Sequence, residues 1–175
     1  MYDAVFKIVI FGEAGCGKTT LTQRYMSNKF IPNTRMTIGV DLQVKVLKVD
    51  NKSVKLQIWD FGGEERFRFF LPKHVKGAHG GLLMYDITNL ESTLHIDNWI
   101  SIIKESSELF PIMLIGGKSD LEEYREVKKE EGEELMKEYE FEGFLECSSK
   151  TGENVKKIFE SLTLNMLDYH EVSWS

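Results

Sequence analysis

Eight residues near the N-terminus constrain this chain more than any other stretch. Gly12-Glu13-Ala14-Gly15-Cys16-Gly17-Lys18-Thr19 has the spacing G-x-x-x-x-G-K-[ST]. It follows the apolar, β-prone run Val5–Phe11 and precedes Thr20–Asn28, which reads as a helix. In that context glycines let backbone N–H groups curl around phosphate oxygens with no Cβ in the way. The helix N-terminus adds a positive dipole end. Lys18 is placed to reach the outer phosphates, and the Thr19 hydroxyl to ligate Mg²⁺. Glu13, Ala14, Gly15, Cys16, Gly17, Lys18, Thr19 and Thr20 are therefore the expected phosphate-binding residues. A glycine turn with a stray lysine is the alternative, and the strand–loop–helix context argues against it.

The 175 residues suit a single domain, 1–175, with one well-buried core. A net charge of −6 argues against a general nucleic-acid binder, so any phosphate would be held by local loop chemistry. The two cysteines are Cys16, inside the glycine loop, and Cys147. A structural disulfide at Cys16 is not expected, which points to a reducing, cytoplasmic setting. No apolar run reaches the ~18 residues of a membrane-spanning helix, and the N-terminus lacks the layout of a signal peptide. The last residues, Glu171–Ser175, carry no prenylation cysteine. Peripheral membrane association is left open.

Strand-like and helix-like segments alternate along the chain. The polar stretch Lys29–Thr37, with Pro32 and Asn33, follows the first helix. Val40–Val46 and Val54–Trp59 alternate apolar and polar residues around the turn Asp50-Asn51-Lys52, which predicts a hairpin. Gly80–Tyr85 and Pro111–Ile115 are continuous apolar runs, as in buried parallel strands. Ile96, Trp99, Ile100 and Ile103 share one helical face. A charged helix is expected over Val127–Tyr139, then a short strand Phe144–Cys147. A last amphipathic helix buries Val155, Ile158, Phe159, Leu162 and Met166. This order predicts an α/β fold: a mostly parallel, doubly wound sheet with one antiparallel edge strand and ligands at the carboxyl ends of the strands.

Three further motifs fall at those ends. Asp60-Phe61-Gly62-Gly63 reads D-x-x-G, with Asp60 suited to hold Mg²⁺ and Gly63 able to set a bare N–H against a terminal phosphate. Gly117-Lys118-Ser119-Asp120 is similar to the guanine-reading N-K-x-D. An Asp120 carboxylate can accept from both N1–H and the exocyclic amine of guanine, a donor pair that adenine lacks. The Lys118 stem would pack along the base. Cys147-Ser148-Ser149-Lys150 is similar to the T-S-A-K part of the loop that completes a base pocket, through Ser148, Ser149 and Lys150.

Taken in order, these motifs make the chain resemble a Ras-superfamily small GTPase, most of all the Rab branch. The likeness covers roughly Ala4–Leu167. It includes Met36-Thr37-Ile38-Gly39-Val40-Asp41 and Lys55-Leu56-Gln57-Ile58-Trp59-Asp60. The segments Arg66-Phe67-Arg68, Lys76-Gly77-Ala78 and Tyr85-Asp86-Ile87-Thr88 look Rab-like too. The resemblance implies the P-loop NTPase (small G-protein) fold, six strands with helices on both faces. It implies GTP or GDP with Mg²⁺ as ligands, the metal held by Thr19, Thr37 and Asp60. It makes Thr37 the switch I threonine and sets Phe30 against guanine, a core residue closing the first helix being the less favoured reading of Phe30. It implies effector, exchange-factor and activating proteins as partners, through switch I, switch II and Trp59. Leu42 and His74 take the two positions that join Trp59 in the family's hydrophobic triad. Trp59 itself reads either as an exposed anchor or as a tryptophan half-covered by its own switch loops.

The chain also departs from the family. Glu64 stands where the catalytic glutamine is usual. A carboxylate accepts but cannot donate, so it can orient or deprotonate water. Near a γ-phosphate it is also repelled, by roughly 3 kcal/mol per unit charge at ~5 Å and an effective dielectric of ~20. These effects oppose each other, and residue types do not fix the sign. Gly117 replaces an asparagine whose amide binds the base in the family. One lost hydrogen bond, worth ~0.5–1.5 kcal/mol, implies roughly two- to tenfold weaker binding. Two functions follow. The first is a GTP-hydrolysing switch in which Lys18, Thr37, Gly63 and Glu64 act in catalysis, slow without an activating protein. The second is a non-hydrolysing GTP-binding scaffold, because Glu64 cannot do the work of glutamine. An ATP-using kinase is a third reading, and Asp120 with Ser148-Ser149-Lys150 argues against it.

Overall fold

The computed structural model describes residues 1–32, 35–106 and 109–173. Asn33, in the polar stretch after the first helix, and Trp174 and Ser175 of the C-terminal segment lie outside the described residues. The elements are β1 (Ala4–Gly12), α1 (Lys18–Ser27), β2 (Val40–Val49), β3 (Lys52–Phe61), α2 (Leu71–Val75), β4 (Gly80–Asp86), α3 (Ile96–Ser106), β5 (Ile112–Gly117), α4 (Lys129–Glu138), β6 (Gly143–Glu146) and α5 (Val155–Ser173). The sheet has six strands in the order β2-β3-β1-β4-β5-β6. β2 runs antiparallel to β3, and the other neighbours are parallel. The two-residue turn of the hairpin has positive φ at Asp50 and Asn51, the geometry that follows the twist of the flanking strands.

Side-chain alternation along β1 divides the core in two. Phe6, Ile8 and Ile10 face Leu21 of α1 and Ile158, Phe159, Leu162 and Met166 of α5. Val9 and Phe11 face Ile96, Trp99, Ile100 and Ile103 of α3. Both apolar stripes expected from the helical spacing are therefore buried, at about 1.5–3 kcal/mol for each large side chain removed from water. Among the described residues no helix is long and apolar enough to cross a membrane.

Some boundaries differ from the sequence reading. α1 starts at Lys18 because Gly17, at φ 95°, already caps it. α4 starts at Lys129 because the Glu131 carboxylate accepts from the Lys128 N–H at 2.6 Å and fixes the helix start there. β5 runs on through Gly117. A 3-10 segment, Glu65–Phe70, and the five-residue α2 were not foreseen, being too short to show a period. β1, β3, β4, β5 and β6 all end at one edge of the sheet, which brings the sequence motifs together.

Tyr85 is fully buried, and its hydroxyl has no hydrogen-bond partner among the described residues. Gly132 of α4 packs against it so closely that an added Cβ would lie 2.6 Å from that oxygen and 2.4 Å from Phe144 Cζ. Tyr85→Phe is expected to leave stability unchanged or raise it by up to about 1 kcal/mol, since no hydrogen bond is lost. Gly132→Ala is expected to cost about 1–3 kcal/mol by overpacking, more than the ~1 kcal/mol a helix gains on losing a glycine. Urea denaturation midpoints check both.

Candidate nucleotide-binding site

The glycine loop closes on Lys18. Its ammonium donates to the carbonyls of Gly12 at 2.9 Å and Glu13 at 2.8 Å. Lys18 is almost fully buried, and that burial pushes its pKa down. Gly12, at φ 139°, lies where an added Cβ would come 2.3 Å from the Met84 oxygen. No side chain caps α1, so its first N–H groups are open to an anion. A cavity of about 310 Å³ lies here. Ala14, Gly15, Gly17, Lys18, Thr19 and Thr20 line one side, and Arg35, Met36, Thr37, Phe61, Gly62 and Gly63 the other. Arg35, which the sequence reading did not assign, brings a second cation to this cavity.

Three oxygen-bearing side chains converge at the cavity. The Thr19 hydroxyl donates to Asp60 Oδ2 at 2.5 Å and lies 2.6 Å from the Thr37 hydroxyl, which is itself 3.5 Å from Oδ2. Asp60 is fully buried, and Oδ1 has no hydrogen-bond partner among the described residues. Burial pushes its carboxyl pKa up, against the lowering effect of Thr19 and Lys18. A buried carboxylate with one unpartnered oxygen and two hydroxyls beside it fits a hard divalent cation such as Mg²⁺. Soft or imidazole-bound metals do not suit this donor set, and among the described residues no group of three or more His, Cys, Asp or Glu could hold a metal ion.

The chain leaving β3 presses on the glycine loop. An added Cβ at Gly63 would lie 2.3 Å from the Ala14 nitrogen. The Gly62 N–H donates to the Gly39 carbonyl at 2.8 Å, tying the segment after β3 to the one before β2. Glu13 belongs to the glycine loop by sequence, but its side chain turns away from the cavity. Its carboxylate accepts from Arg68 at 2.7 Å and from the Trp99 indole at 3.1 Å, with His95 at 3.3 Å. Glu64 does not line the cavity either; it forms an ion pair with Arg66. Trp59 is half-buried, under the Lys7 ammonium at 4.4 Å and beside the His74 ring at 5.7 Å. Of the two readings of Trp59, the half-covered one fits.

A second cavity, also of about 310 Å³, adjoins the first and shares Gly17 and Thr20 with it. Cys16, Phe30, Met84, Gly117, Lys118, Asp120, Leu121, Ser149 and Lys150 complete its lining. Phe30 is 39% exposed and stands on this wall, not in the core. The Ser148 hydroxyl donates to Asp120 Oδ1 at 2.7 Å and orients the carboxylate. Lys118 pairs with Asp86 at 2.5 Å, and the Ser119 N–H donates to the Cys147 carbonyl at 3.0 Å, which joins the two loops. Met84 and Leu121 were missed as site residues. Met84 reads only as strand core, because its place depends on where β4 ends relative to β5.

The sequence model of the Ras family matches residues 7–168. Ras-related protein Rab-8B of Homo sapiens, of Bos taurus and of Pongo abelii is each 40% identical to the chain over 167 residues. The match spans 95% of this chain and 80% of each relative.

Burial pushes the Cys16 thiol up to about 11. Its thiolate fraction at neutral pH is then about 100-fold below that of an ordinary cysteine. Iodoacetamide is expected to alkylate Cys16 at least tenfold more slowly than free glutathione at pH 7.5, with the rate still rising above pH 9. Peptide mass spectrometry over time gives both rates.

Proposed function

This chain belongs to the Ras family as a Rab-like small GTPase, and we propose that it switches by hydrolysing GTP slowly at the joined cavities described above. The observation that carries this reading is the pairing of a glycine-loop cavity with a base cavity through the shared residues Gly17 and Thr20. The first cavity takes phosphates on the backbone N–H groups of Ala14–Thr20 and on Lys18. The second takes guanine, with Asp120 accepting from N1–H and the exocyclic amine. Phe30 and the Lys118 stem flank the base, while Ser149 and Lys150 close the pocket. Adenine would leave the Asp120 carboxylate without donors, which costs more than a weakened contact.

Thr19, Thr37 and Asp60 would hold Mg²⁺, which when bound supplies charge neutralisation at the outer phosphates. Lys18 then faces the charge that develops on the transferred phosphoryl group. Gly63 sets its N–H towards the terminal phosphate, and Thr37 fixes switch I to the same point. With GTP both loops are ordered, and hydrolysis releases them. The segment before β2 presents Met36 and Ile38, the start of β2 presents Leu42, and the segment after β3 presents Phe69. All four are exposed apolar residues suited to an effector surface around half-covered Trp59.

Glu64 sets the rate. Its pairing with Arg66 holds the carboxylate away from the cavity, and its charge disfavours approach to a phosphate. Glutamine at this position could accept from water and donate to a phosphate oxygen at once. The test loads nucleotide-free protein with Mg²⁺-GTP and follows GDP by ion-exchange chromatography, with ATP in parallel. The expected result is slow GDP formation, no ADP from ATP, and a rate raised about tenfold by Glu64→Gln, within the ~3 kcal/mol of repulsion removed. GTP retained unchanged over a day by both proteins would make the chain a non-hydrolysing scaffold. A rate lowered by Glu64→Gln would make Glu64 a general base.

A further inference from the structure

Arg35 stands apart from the other arginines of the chain. Arg24 donates to the Thr151 carbonyl at 3.2 Å, and Arg66 pairs with Glu64. Arg68 pairs with Glu13 and Arg125 with Glu146, each at 2.7 Å. Arg35 is exposed and has no hydrogen bond or ion pair among the described residues. It lines the phosphate cavity together with Lys18, Thr19, Thr37 and Gly63. A guanidinium free of carboxylates at the wall of an anion cavity keeps its planar fork of donors for the anion.

The rest of the cavity leaves work for such a group. Lys18 already donates to the carbonyls of Gly12 and Glu13, so most of its donors are spent before a phosphate arrives. Any Mg²⁺ held at Asp60 would divide its charge between that buried carboxylate and the phosphates. Glu64 is drawn to Arg66 and does not line the cavity. The negative charge of a triphosphate therefore exceeds what Lys18 and the metal cancel. Arg35 lies two residues before Thr37, so whatever seats Thr37 at a terminal phosphate brings Arg35 with it. A cation that meets charge formed only during the transfer speeds the reaction and adds little to binding.

We infer that Arg35 is a catalytic residue supplied by this chain itself, from the segment before β2, and that it donates to the terminal phosphate as that group leaves GDP. This rests on the hydrolysing reading proposed above. In the step, a water oxygen bonds to the terminal phosphorus, and the bond from that phosphorus to its bridging oxygen breaks. The bridging oxygen keeps the electron pair and departs on GDP. The water oxygen and both its hydrogens stay with the released phosphate, as dihydrogen phosphate. Arg35 donates hydrogen bonds to the bridging and terminal oxygens and passes no proton, because a guanidinium stays charged. GDP lacks the group that Arg35 meets, so GDP binding does not depend on it.

The test measures single-turnover GTP hydrolysis and GDP affinity, with Mg²⁺, for the unchanged chain, Arg35→Ala and Arg35→Lys. Arg35→Ala is expected to lower the rate by about 10- to 100-fold, the order of one charge-stabilising donor on an exposed segment, with GDP affinity held within about twofold. Arg35→Lys keeps the charge but loses the fork, and its rate should fall between the two. A second readout needs no turnover. GDP with aluminium fluoride, a mimic of the phosphoryl group in transfer, should be held by the unchanged chain with no second protein present, and not by Arg35→Ala. Hydrolysis by the unchanged chain with the same rate in Arg35→Ala would overturn the inference and leave the hydrolysing reading intact. So would a GDP affinity that falls as far as the rate, or aluminium fluoride held by both proteins or by neither. GTP retained by the unchanged chain would instead overturn the hydrolysing reading, and the inference with it.

Discussion

At Gly63 the chain leaving β3 comes so near the glycine loop that an added Cβ would lie 2.3 Å from the Ala14 nitrogen and 2.5 Å from the Gly12 oxygen. Only glycine permits that approach, and the rest of the phosphate end depends on it. It brings Asp60, the penultimate residue of β3, beside Thr19 at the start of α1. A fully buried carboxylate is costly unless its charge is matched. Thr19, Thr37 and Lys18 match part of it, and Oδ1 is left without a partner among the described residues. The Ras-family assignment gives this imbalance its meaning. On the reading proposed above, the atoms left under-satisfied by the protein alone are the ones that a divalent cation and a terminal phosphate would complete.

The two halves of the site are built differently. The base half rests on strand ends and crossed hydrogen bonds: Ser148 to Asp120, Ser119 to Cys147, Lys118 to Asp86. These join β4, β5 and the loop after β6 into one frame. The phosphate half has its partners on loops that carry exposed apolar residues, Met36 and Ile38 before β2 and Phe69 beyond β3. The ion pairs of Glu13 with Arg68 and of Glu64 with Arg66 add local anchors to the second loop, and both are partly exposed and individually weak.

Much of this was legible in the residues. The alternation in Val54, Leu56 and Ile58 against Lys55, Gln57 and Trp59 gave the correct faces of β3, because one side of that strand is fully buried. The motif spacings located both cavities. Other features depended on residues far apart in the chain. Trp59 reads as outward-facing, yet Lys7 and His74 cover it from β1 and α2. Glu13 reads as a loop residue facing phosphate, yet Trp99 and His95 draw its carboxylate towards α3. Met84 sits in a uniformly apolar run and shows no pattern that separates a core residue from a cavity wall. Glu65–Phe70 and α2 are too short for a period to emerge.

The central claim is that a terminal phosphate holds both loops against the glycine loop while the base half stays fixed. Backbone hydrogen–deuterium exchange tests it most directly, with the Mg²⁺-GDP complex compared against the complex with a non-hydrolysable GTP analogue. The account predicts slower exchange over 36–41 and 61–70 with the analogue, and unchanged exchange over 82–86 and 112–117. Equal exchange over both loops in the two complexes would contradict it, because the nucleotide would then carry no message to the surface that partners meet.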